Sequence, residues 1–425
     1  MTDFRTDNNG KTRGSRALPV SRRGFTLGAA ATAAVLGAPG ILKGARAATP
    51  LKIGCLAPLT GFFAREGQNC KRGFDIAPAL LSDMGHTVEI MMADTESNPD
   101  KARTAAEKLV NEGAQVLIGT FVSGETAAVA QVAEQRGIPH IINVAAAPQI
   151  TEQGYKYVFR NFTTGPMLVI NGLGLIKQLM QKVGATPKGA VFMHVNDTFG
   201  TAMSKGIEAL YGRMEMPFPI LETIAYDPKA KDLSVEVAKA KASGADIVFP
   251  VSHGADAILL IREMVKQRFE PAGIMTPGSP GTYEAQFYKA LDKYSEFVMA
   301  NVPWIDPSTD MSKAFTAAFD KTFKGELMEL NAGFSFEAVL IAADAHARAG
   351  SADPGALADA IRATDIAEHV MIGGPIQFDE KGQNVNIKSA TLQNLDRMPT
   401  VVMPAESAQH EPVYPMPGWR DAARK

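Results

Sequence analysis

Short apolar runs alternate with amphipathic stretches along the chain from residue 51 onward. Near-continuous apolar runs of this length predict buried strands, and the amphipathic stretches between them predict helices that cover a parallel sheet on both faces. The first set predicts strands at residues 51–57, 88–93, 116–119 and 138–144, and helices at residues 67–81, 99–111 and 124–135. We therefore expect one doubly wound unit in this part of the chain.

The same alternation restarts after residues 161–166 and predicts a second doubly wound unit. Its predicted strands are residues 189–195, 220–224, 247–251 and 273–276. Of its four predicted helices, the first ends near residue 183, the second begins at residue 199, and the other two cover residues 233–242 and 255–267. Later runs predict strands at residues 297–302, 376–378 and 389–395, and helices at residues 312–323, 334–349 and 354–362. These later elements are too few for a third domain, so the predicted fold class is α/β with two doubly wound lobes.

The N-terminus has the order of an export signal. Arg22 and Arg23 precede an uncharged stretch, residues 24–42, that is rich in Ala and Gly and is followed by Ala45-Arg46-Ala47. A charged region, an apolar region and a small-x-small cleavage site predict a signal peptide at residues 1–47, and the paired arginines fit the twin-arginine type. A transmembrane anchor is the alternative, although the stretch is only weakly hydrophobic.

Composition narrows the class of protein further. About 378 residues remain after residue 47, which is more than one core normally holds, so two domains are expected. A formal net charge of -2 does not indicate the excess positive charge that is typical of nucleic-acid-binding proteins. Cys55 and Cys70 are too few for a disulfide scaffold, and they are either two buried thiols or one bridge formed after export.

Enzyme motifs are absent from the sequence. It contains no G-x-G-x-x-G after the first predicted strand, no phosphate-binding loop, no G-x-S-x-G and no H-E-x-x-H. The seven histidines have no metal-ligand spacing. We therefore predict a binding protein that is not an enzyme and that uses no cofactor or metal, with a secreted α/β enzyme as the alternative.

Ligands of doubly wound sheets bind beyond the carboxyl ends of the strands. Four loops have this position, namely residues 58–68, 120–126, 144–150 and 252–254. Ser123 is expected as the N-cap of the helix that follows, where free backbone N–H groups suit a carboxylate or carbonyl. Helix capping without any ligand explains the same serine.

Several segments resemble the leucine/isoleucine/valine-binding protein family in the family's own order. They are Lys52-Ile53-Gly54 through Pro58-Leu59-Thr60-Gly61, Asp94 with Asn98-Pro99-Asp100-Lys101-Ala102, Ile118-Gly119 leading to Ser123, Gly154-Tyr155-Lys156-Tyr157-Val158-Phe159-Arg160, and Gly374-Pro375-Ile376-Gln377-Phe378-Asp379-Glu380-Lys381-Gly382. Each segment alone is only loosely similar to the family, but together the segments span nearly all of the chain after residue 47.

The resemblance implies a type I periplasmic-binding-protein fold, with a ligand cleft between two lobes joined by three crossover segments. The crossovers are expected near residues 161–166, 300–303 and 374–378. Lobe 1 would then comprise residues 48–163 and 302–375, and lobe 2 residues 164–301 and 376–425. The family further implies a periplasmic location, hinge closure around a small ligand, and the permease subunits of an ABC importer as partner. A ligand sensor that docks on a membrane receptor is the alternative.

The family also implies which residues contact the ligand. Ser123 matches the serine that holds the substrate carboxylate, and Ala145 matches a backbone contact. Ala147 stands where the family has a threonine, and Phe199 and Phe336 stand where it has tyrosines. Around Ser279, no acid occupies the place of an ammonium-binding carboxylate. These departures favour a carboxylate, carbonyl or amide ligand, such as a branched or aromatic acid or an amino-acid-like compound, over an ordinary α-amino acid.

Four further residues have more than one interpretation. Glu66 and Glu125 are either cleft residues that meet a cationic or hydroxylated group or solvated surface glutamates. His253 donates to a ligand oxygen, caps a helix or is exposed to solvent. Trp304 is expected to pack at the hinge and not to bind ligand.

Overall fold

The computed structural model describes residues 50–306, 308–405 and 408–424. The predicted signal peptide at residues 1–47 lies outside these residues. Within the described ranges, no helix has both the length and the apolar character needed to cross a membrane.

The first sheet has five parallel strands in the order β2-β1-β3-β4-β5. Its strands are β1 (Leu51–Ala57), β2 (Val88–Asp94), β3 (Val116–Ile118), β4 (His140–Ile142) and β5 (Val158–Arg160). Its helices are α1 (Ala64–Asp83), α2 (Pro99–Asn111) and α3 (Ser123–Arg136). β1, β3 and β4 are buried almost throughout, as expected for strands covered on both faces.

The second sheet has seven strands in the order β12-β11-β10-β9-β8-β6-β7, of which β11 (Ala390–Leu395) and β12 (Met398–Met403) come from the end of the chain. Its elements are α4 (Gly165–Val183), β6 (Ala190–Val195), α5 (Thr198–Leu210), β7 (Ile220–Tyr226), α6 (Ser234–Ala242), β8 (Ile247–Val251), α7 (Gly254–Lys266), β9 (Gly273–Thr276), α8 (Ala285–Leu291) and β10 (Met299–Val302). The strands from β6 to β10 pair in parallel.

Three helices follow β10 and return to the first sheet, which completes the first lobe. They are α9 (Asp310–Thr322), α10 (Leu330–Ala349) and α11 (Pro354–Arg362). α10 lies directly against α1 because Gly73 has no side chain, and a Cβ there would be 2.1 Å from the Ala332 carbonyl oxygen. The chain then enters the second sheet again as β11 (Ala390–Leu395) and β12 (Met398–Met403), which pair antiparallel.

The prediction of an α/β fold with two lobes and three crossovers is confirmed. The chain changes sheets between β5 and α4, between β10 and α9, and before β11. The predicted third crossover near residues 374–378 is wrong in position, because Gly382 and Gln383 still pair with Arg160 at the end of the first sheet. This last crossover falls between Gln383 and Ala390.

One local prediction is also wrong, and one alternative that the sequence left open is decided. Residues 376–378 form isolated bridges and no strand, since Ile376 pairs with Ile366 and Phe378 with Asn384 across short turns. Cys55 and Cys70 are unbonded, buried thiols in the core of the first lobe, so the bridge that the sequence left open does not form. Burial raises the pKa of the Cys70 thiol to about 12.

Candidate functional site

A cavity of about 430 Å³ lies at the carboxyl ends of the strands, between the two lobes. This volume falls within the range of small-molecule sites. The first lobe contributes the α3 N-terminus and the turn after β1, and the second lobe contributes the loops before α5 and α7. Most of the lining is apolar, and it includes five phenylalanine side chains, Phe62, Phe63, Phe121, Phe162 and Phe199.

The N-terminus of α3 faces this cavity without a side-chain cap. The structure places the N-cap at Val122, so the expectation that Ser123 caps the helix is wrong. Instead the Ser123 hydroxyl accepts from the backbone N–H of Ala147 at 3.3 Å, which holds two predicted ligand loops together. Ser123 and Gly124 line the cavity at the positive end of the helix dipole.

His253 enters the cavity from the start of α7 and is 4 % exposed. Its Nε2 lies 2.8 Å from Oδ2 of Asp197, whose other carboxylate oxygen accepts from Gly200 N at 2.7 Å and so caps α5. Burial alone would lower the pKa of His253, but the Asp197 carboxylate, with smaller contributions from Asp256 and Glu66, raises it to about 8. The imidazole is therefore a cation at neutral pH.

His253 is the N-cap residue of α7, and its backbone N–H donates to Asp256 Oδ1 at 3.0 Å. Its Nδ1 is buried and hydrogen-bonds to no other described residue. Aromatic rings surround the imidazole, with ring centroids 4.9 Å away at Phe63, 5.5 Å at Phe199 and 6.1 Å at Phe121. Because Phe63 and Phe121 belong to the first lobe and His253 to the second, the two lobes meet at this residue.

Five predicted site residues do not line the cavity, namely Ala145, Ala147, Phe336, Ser279 and Glu66. Ala145 and Ala147 point into a small core cluster under α3, while their neighbours Val144 and Ala146 face the cavity. Phe336 is fully buried in α10 against Phe315, with ring centroids 5.1 Å apart.

Ser279, the fourth of these residues, also has a structural role. Its hydroxyl oxygen accepts from Ser252 N at 2.9 Å, which ties the loop after β9 to the loop after β8. Its neighbours Gly278 and Pro280 line the cavity in its place.

Glu66 and Glu125 fit neither of their two interpretations, because both side chains are buried and neither lines the cavity. Glu125 is fully buried, and its Oε2 accepts from the Thr95 hydroxyl at 2.8 Å. Burial, with a smaller contribution from the charge of Asp94, raises the pKa of Glu125 to about 7. Glu66 is 5 % exposed and lies near Gly254, at the contact between the lobes.

Behind the cavity, Glu66 joins two further buried acids, Glu284 before α8 and Glu329 before α10. Burial, with the charges of Glu66 and Glu329, raises the pKa of Glu284 well above its ordinary value. The Arg65 guanidinium approaches Glu284 at 3.8 Å from the other lobe. No described cluster of three or more His, Cys, Asp or Glu is arranged to hold a metal ion.

Sequence reasoning missed most polar residues of the cavity, and three of them matter for its chemistry. Asp197, Tyr283 and Asn331 all line it. Only Asp197 had a sequence signal, as an aspartate three residues before Gly200 at a helix start. Trp304, which the sequence placed at the hinge, packs edge-to-face on Tyr283 with ring centroids 5.5 Å apart.

The fold and the cleft define a two-lobed solute-binding protein. The sequence profile of the periplasmic binding protein family matches residues 50–396, and the chain belongs to that family. Its members are solute-binding proteins and not enzymes.

Two curated relatives cover most of the chain. The leucine-, isoleucine-, valine-, threonine- and alanine-binding protein of Pseudomonas aeruginosa is 25% identical over 361 residues, which are 83% of this chain and 92% of the relative. Leu/Ile/Val-binding protein homolog 7 of Brucella suis is 24% identical over 388 residues, which are 87% of this chain and 96% of the relative. The predicted family resemblance is therefore confirmed.

Solved structures show the same fold. A leucine-binding protein of Thermotoga maritima superposes with a TM-score of 0.72 at 20% identity, over 83% of this chain and 97% of its own. A solute-binding protein of an ABC transporter from R. palustris, in complex with benzoate, superposes with a TM-score of 0.71 at 20% identity, over 88% of this chain and 99% of its own.

Proposed function

We propose that this protein binds a small aromatic monocarboxylate in the periplasm and delivers it to the permease of an ABC importer. The observation that carries the proposal is the unpartnered Nδ1 of the His253 imidazolium, which lies inside an aromatic enclosure. A ligand carboxylate there would gain a charge-assisted hydrogen bond in a site that excludes water.

The N-terminus of α3 also favours a negatively charged ligand group. The backbone N–H groups of Ser123 and Gly124 belong to the first turn of a helix that has no side-chain cap. Such a terminus favours an anion through its free N–H groups and its dipole. A carboxylate between α3 and His253 would contact both lobes and would therefore stabilise the closed cleft.

The lining disfavours an α-ammonium group. Two acids line the cavity within the described residues, Asp197 and Glu96. Asp197 is held by His253 and Gly200 N, and Glu96 is exposed and lies 3.8 Å from Lys101. A buried ammonium without a carboxylate partner costs several kcal/mol, whereas an aromatic ring fits the phenylalanine walls.

Relatives of the same fold include proteins for both ligand classes. One solved neighbour contains isoleucine, and another contains benzoate. The polar groups of this cavity favour an aromatic acid over an amino acid as the ligand of this chain. Export rests on the predicted signal peptide, and mass spectrometry of the periplasmic form should find a chain that begins near residue 48.

Calorimetry and thermal shift on the mature chain test the ligand. Benzoate at about one hundred times its dissociation constant should add about 2.7 kcal/mol to the free energy of unfolding. Leucine and valine should add much less at the same concentration. A low-micromolar affinity for leucine, with none for benzoate, would contradict the proposal. Uptake of labelled benzoate should fall in cells that lack the gene and return with the wild-type copy.

A further inference from the structure

Two polar side chains of the cavity remain unused by the proposed carboxylate site. Tyr283 is 2 % exposed and Asn331 is 3 % exposed, and both line the cavity. Neither the Tyr283 hydroxyl nor the Asn331 side-chain amide hydrogen-bonds to another described residue, since the Ser335 hydroxyl donates to the Asn331 backbone carbonyl and not to its side chain. Neither group is among the sealed, unpaired polar atoms of the described residues, so both are open to the cavity and available to a partner outside the chain.

One hydrogen bond ties the two segments together. Glu329, two residues before Asn331, accepts from the backbone N–H of Ala285 at 3.2 Å, and Ala285 lies two residues after Tyr283. Tyr283 precedes α8 of the second lobe, and Asn331 lies in the first turn of α10 of the first lobe. The pair therefore spans the cleft between the lobes close to the second crossover, where Trp304 packs on the Tyr283 ring.

The surroundings of this pair select the chemistry of the group it would bind. Glu284 and Glu329 are neighbours of this pair, and burial, with smaller contributions from their charges, raises the pKa of Tyr283 well above its ordinary value. A second ligand carboxylate would meet these acids, and a ligand cation would find no carboxylate among the described residues that line this part of the cavity. A neutral hydroxyl donates to one partner and accepts from the other, which matches a phenol beside an amide.

We propose that the ligand is a hydroxylated aromatic carboxylate, whose ring hydroxyl is bound jointly by Tyr283 and Asn331 across the cleft. The inference rests on the proposed function, because it assumes a ring held by its carboxylate at His253. Joint binding makes the hydroxyl a second link between the lobes, so it should contribute to affinity as well as to selectivity.

Calorimetry with benzoate, 3-hydroxybenzoate, 4-hydroxybenzoate and terephthalate tests the inference on the mature wild-type chain. At least one hydroxybenzoate should bind about tenfold more tightly than benzoate, since the site leaves its polar groups unpaired around the plain ring. Terephthalate should bind more weakly than either hydroxybenzoate. Tyr283→Phe and Asn331→Leu should each bring the ratio of the hydroxybenzoate and benzoate affinities close to one.

Tyr288→Phe is the matched control. Tyr288 is also a buried tyrosine of this segment, but its hydroxyl donates to Asn394 at 2.8 Å and does not line the cavity. Its variant should keep the wild-type ratio. The inference would be overturned if the wild type bound benzoate and both hydroxybenzoates with equal affinity. It would also be overturned if the hydroxybenzoate-to-benzoate affinity ratio stayed at its wild-type value in both Tyr283→Phe and Asn331→Leu. Either result would leave the proposed function in place. Loss of binding for every aromatic acid would instead reject the proposed function, and the inference with it.

Discussion

His253 and Asp197 form a hydrogen-bonded pair inside the cleft, with 2.8 Å between Nε2 and Oδ2. The carboxylate has two tasks, because it caps α5 through Gly200 N and also keeps the imidazole charged. The same pair thus fixes a helix terminus of the second lobe and supplies the cation that we assign to the ligand carboxylate.

Ligand affinity should depend on pH through His253. Its pKa is raised to about 8, so the imidazolium is present at neutral pH and is lost as the pH rises through 8. The affinity for benzoate should be constant between pH 6 and 7 and fall above pH 8, by at most about tenfold per pH unit. Isothermal titration across this range measures the change.

His253→Gln should bind more weakly at pH 7 and lose the pH dependence, because glutamine does not titrate. His410→Gln is the control, since His410 is exposed and lies outside the cavity. A wild-type affinity that stays level from pH 7 to 9 would rule out the imidazolium as the anion contact.

Asp197→Asn should separate the two tasks of Asp197. Asparagine keeps the side-chain oxygen that accepts from Gly200 N, so α5 should remain capped. Without the carboxylate charge, burial dominates and the pKa of His253 should fall below 6.5. An NMR titration of the imidazole measures this pKa directly. Asp232→Asn removes a similar carboxylate that accepts from Ser234 N far from the histidine, and it should leave the pKa of His253 unchanged.

Glu284→Gln should stabilise the protein at alkaline pH. Neither carboxylate oxygen of Glu284 hydrogen-bonds to another described residue, and burial with the charges of Glu66 and Glu329 raises its pKa well above the ordinary value. A carboxyl whose pKa is raised by folding contributes stability at low pH and loses it as the pH rises. The variant should gain about 1–3 kcal/mol over wild type at pH 8 and almost nothing at pH 5.

Thermal or denaturant unfolding at the two pH values measures this difference. Glu222→Gln is the control, because Glu222 is exposed on β7 and should leave stability unchanged at both. A Glu284→Gln variant that is less stable than wild type at pH 8 would show that the charged carboxylate has a favourable partner.

Two glycines of α4 should respond in opposite ways to alanine. At Gly172 a Cβ would lie 2.8 Å from the carbonyl carbon of Pro277, in the loop that leads to Gly278 of the cavity wall. At Gly174 it would meet only the Met214 methyl, at 3.9 Å. Gly174→Ala should therefore stabilise by up to about 1 kcal/mol through helix propensity, whereas Gly172→Ala should destabilise and weaken ligand binding. Equal unfolding free energies of the two variants would contradict this account.

The fold was largely predictable because the inner strands of both sheets are buried on both faces. The predicted strand at residues 247–251 coincides with β8, and the predicted helix at residues 354–362 coincides with α11. β5, with three residues, and β12, at the edge of its sheet, were missed because their apolar pattern is short or mixed. Residues 376–378 are apolar enough to resemble a strand, but they make only isolated bridges.

The loops that form the site could be predicted from the sequence, but the side chains that face the cavity could not. The loops after β3 and β8 do line the cavity, through Ser123 and His253. After β4, however, alternate residues point in opposite directions, so Val144 and Ala146 face the cavity where Ala145 and Ala147 were expected. A family position transferred by sequence alone cannot resolve such a shift of one residue.

Tryptophan occurs twice in the chain, at residues 304 and 419. Trp419 is buried against the second lobe, where its Nε1 donates to the Phe269 carbonyl at 2.7 Å, so its surroundings stay constant. Trp304 is half-buried and touches the cavity wall through the ring of Tyr283. Trp304 is therefore an intrinsic fluorescent probe of ligand binding. A ligand that binds Tyr283 should alter the fluorescence of Trp304, and Trp304→Phe should abolish that response.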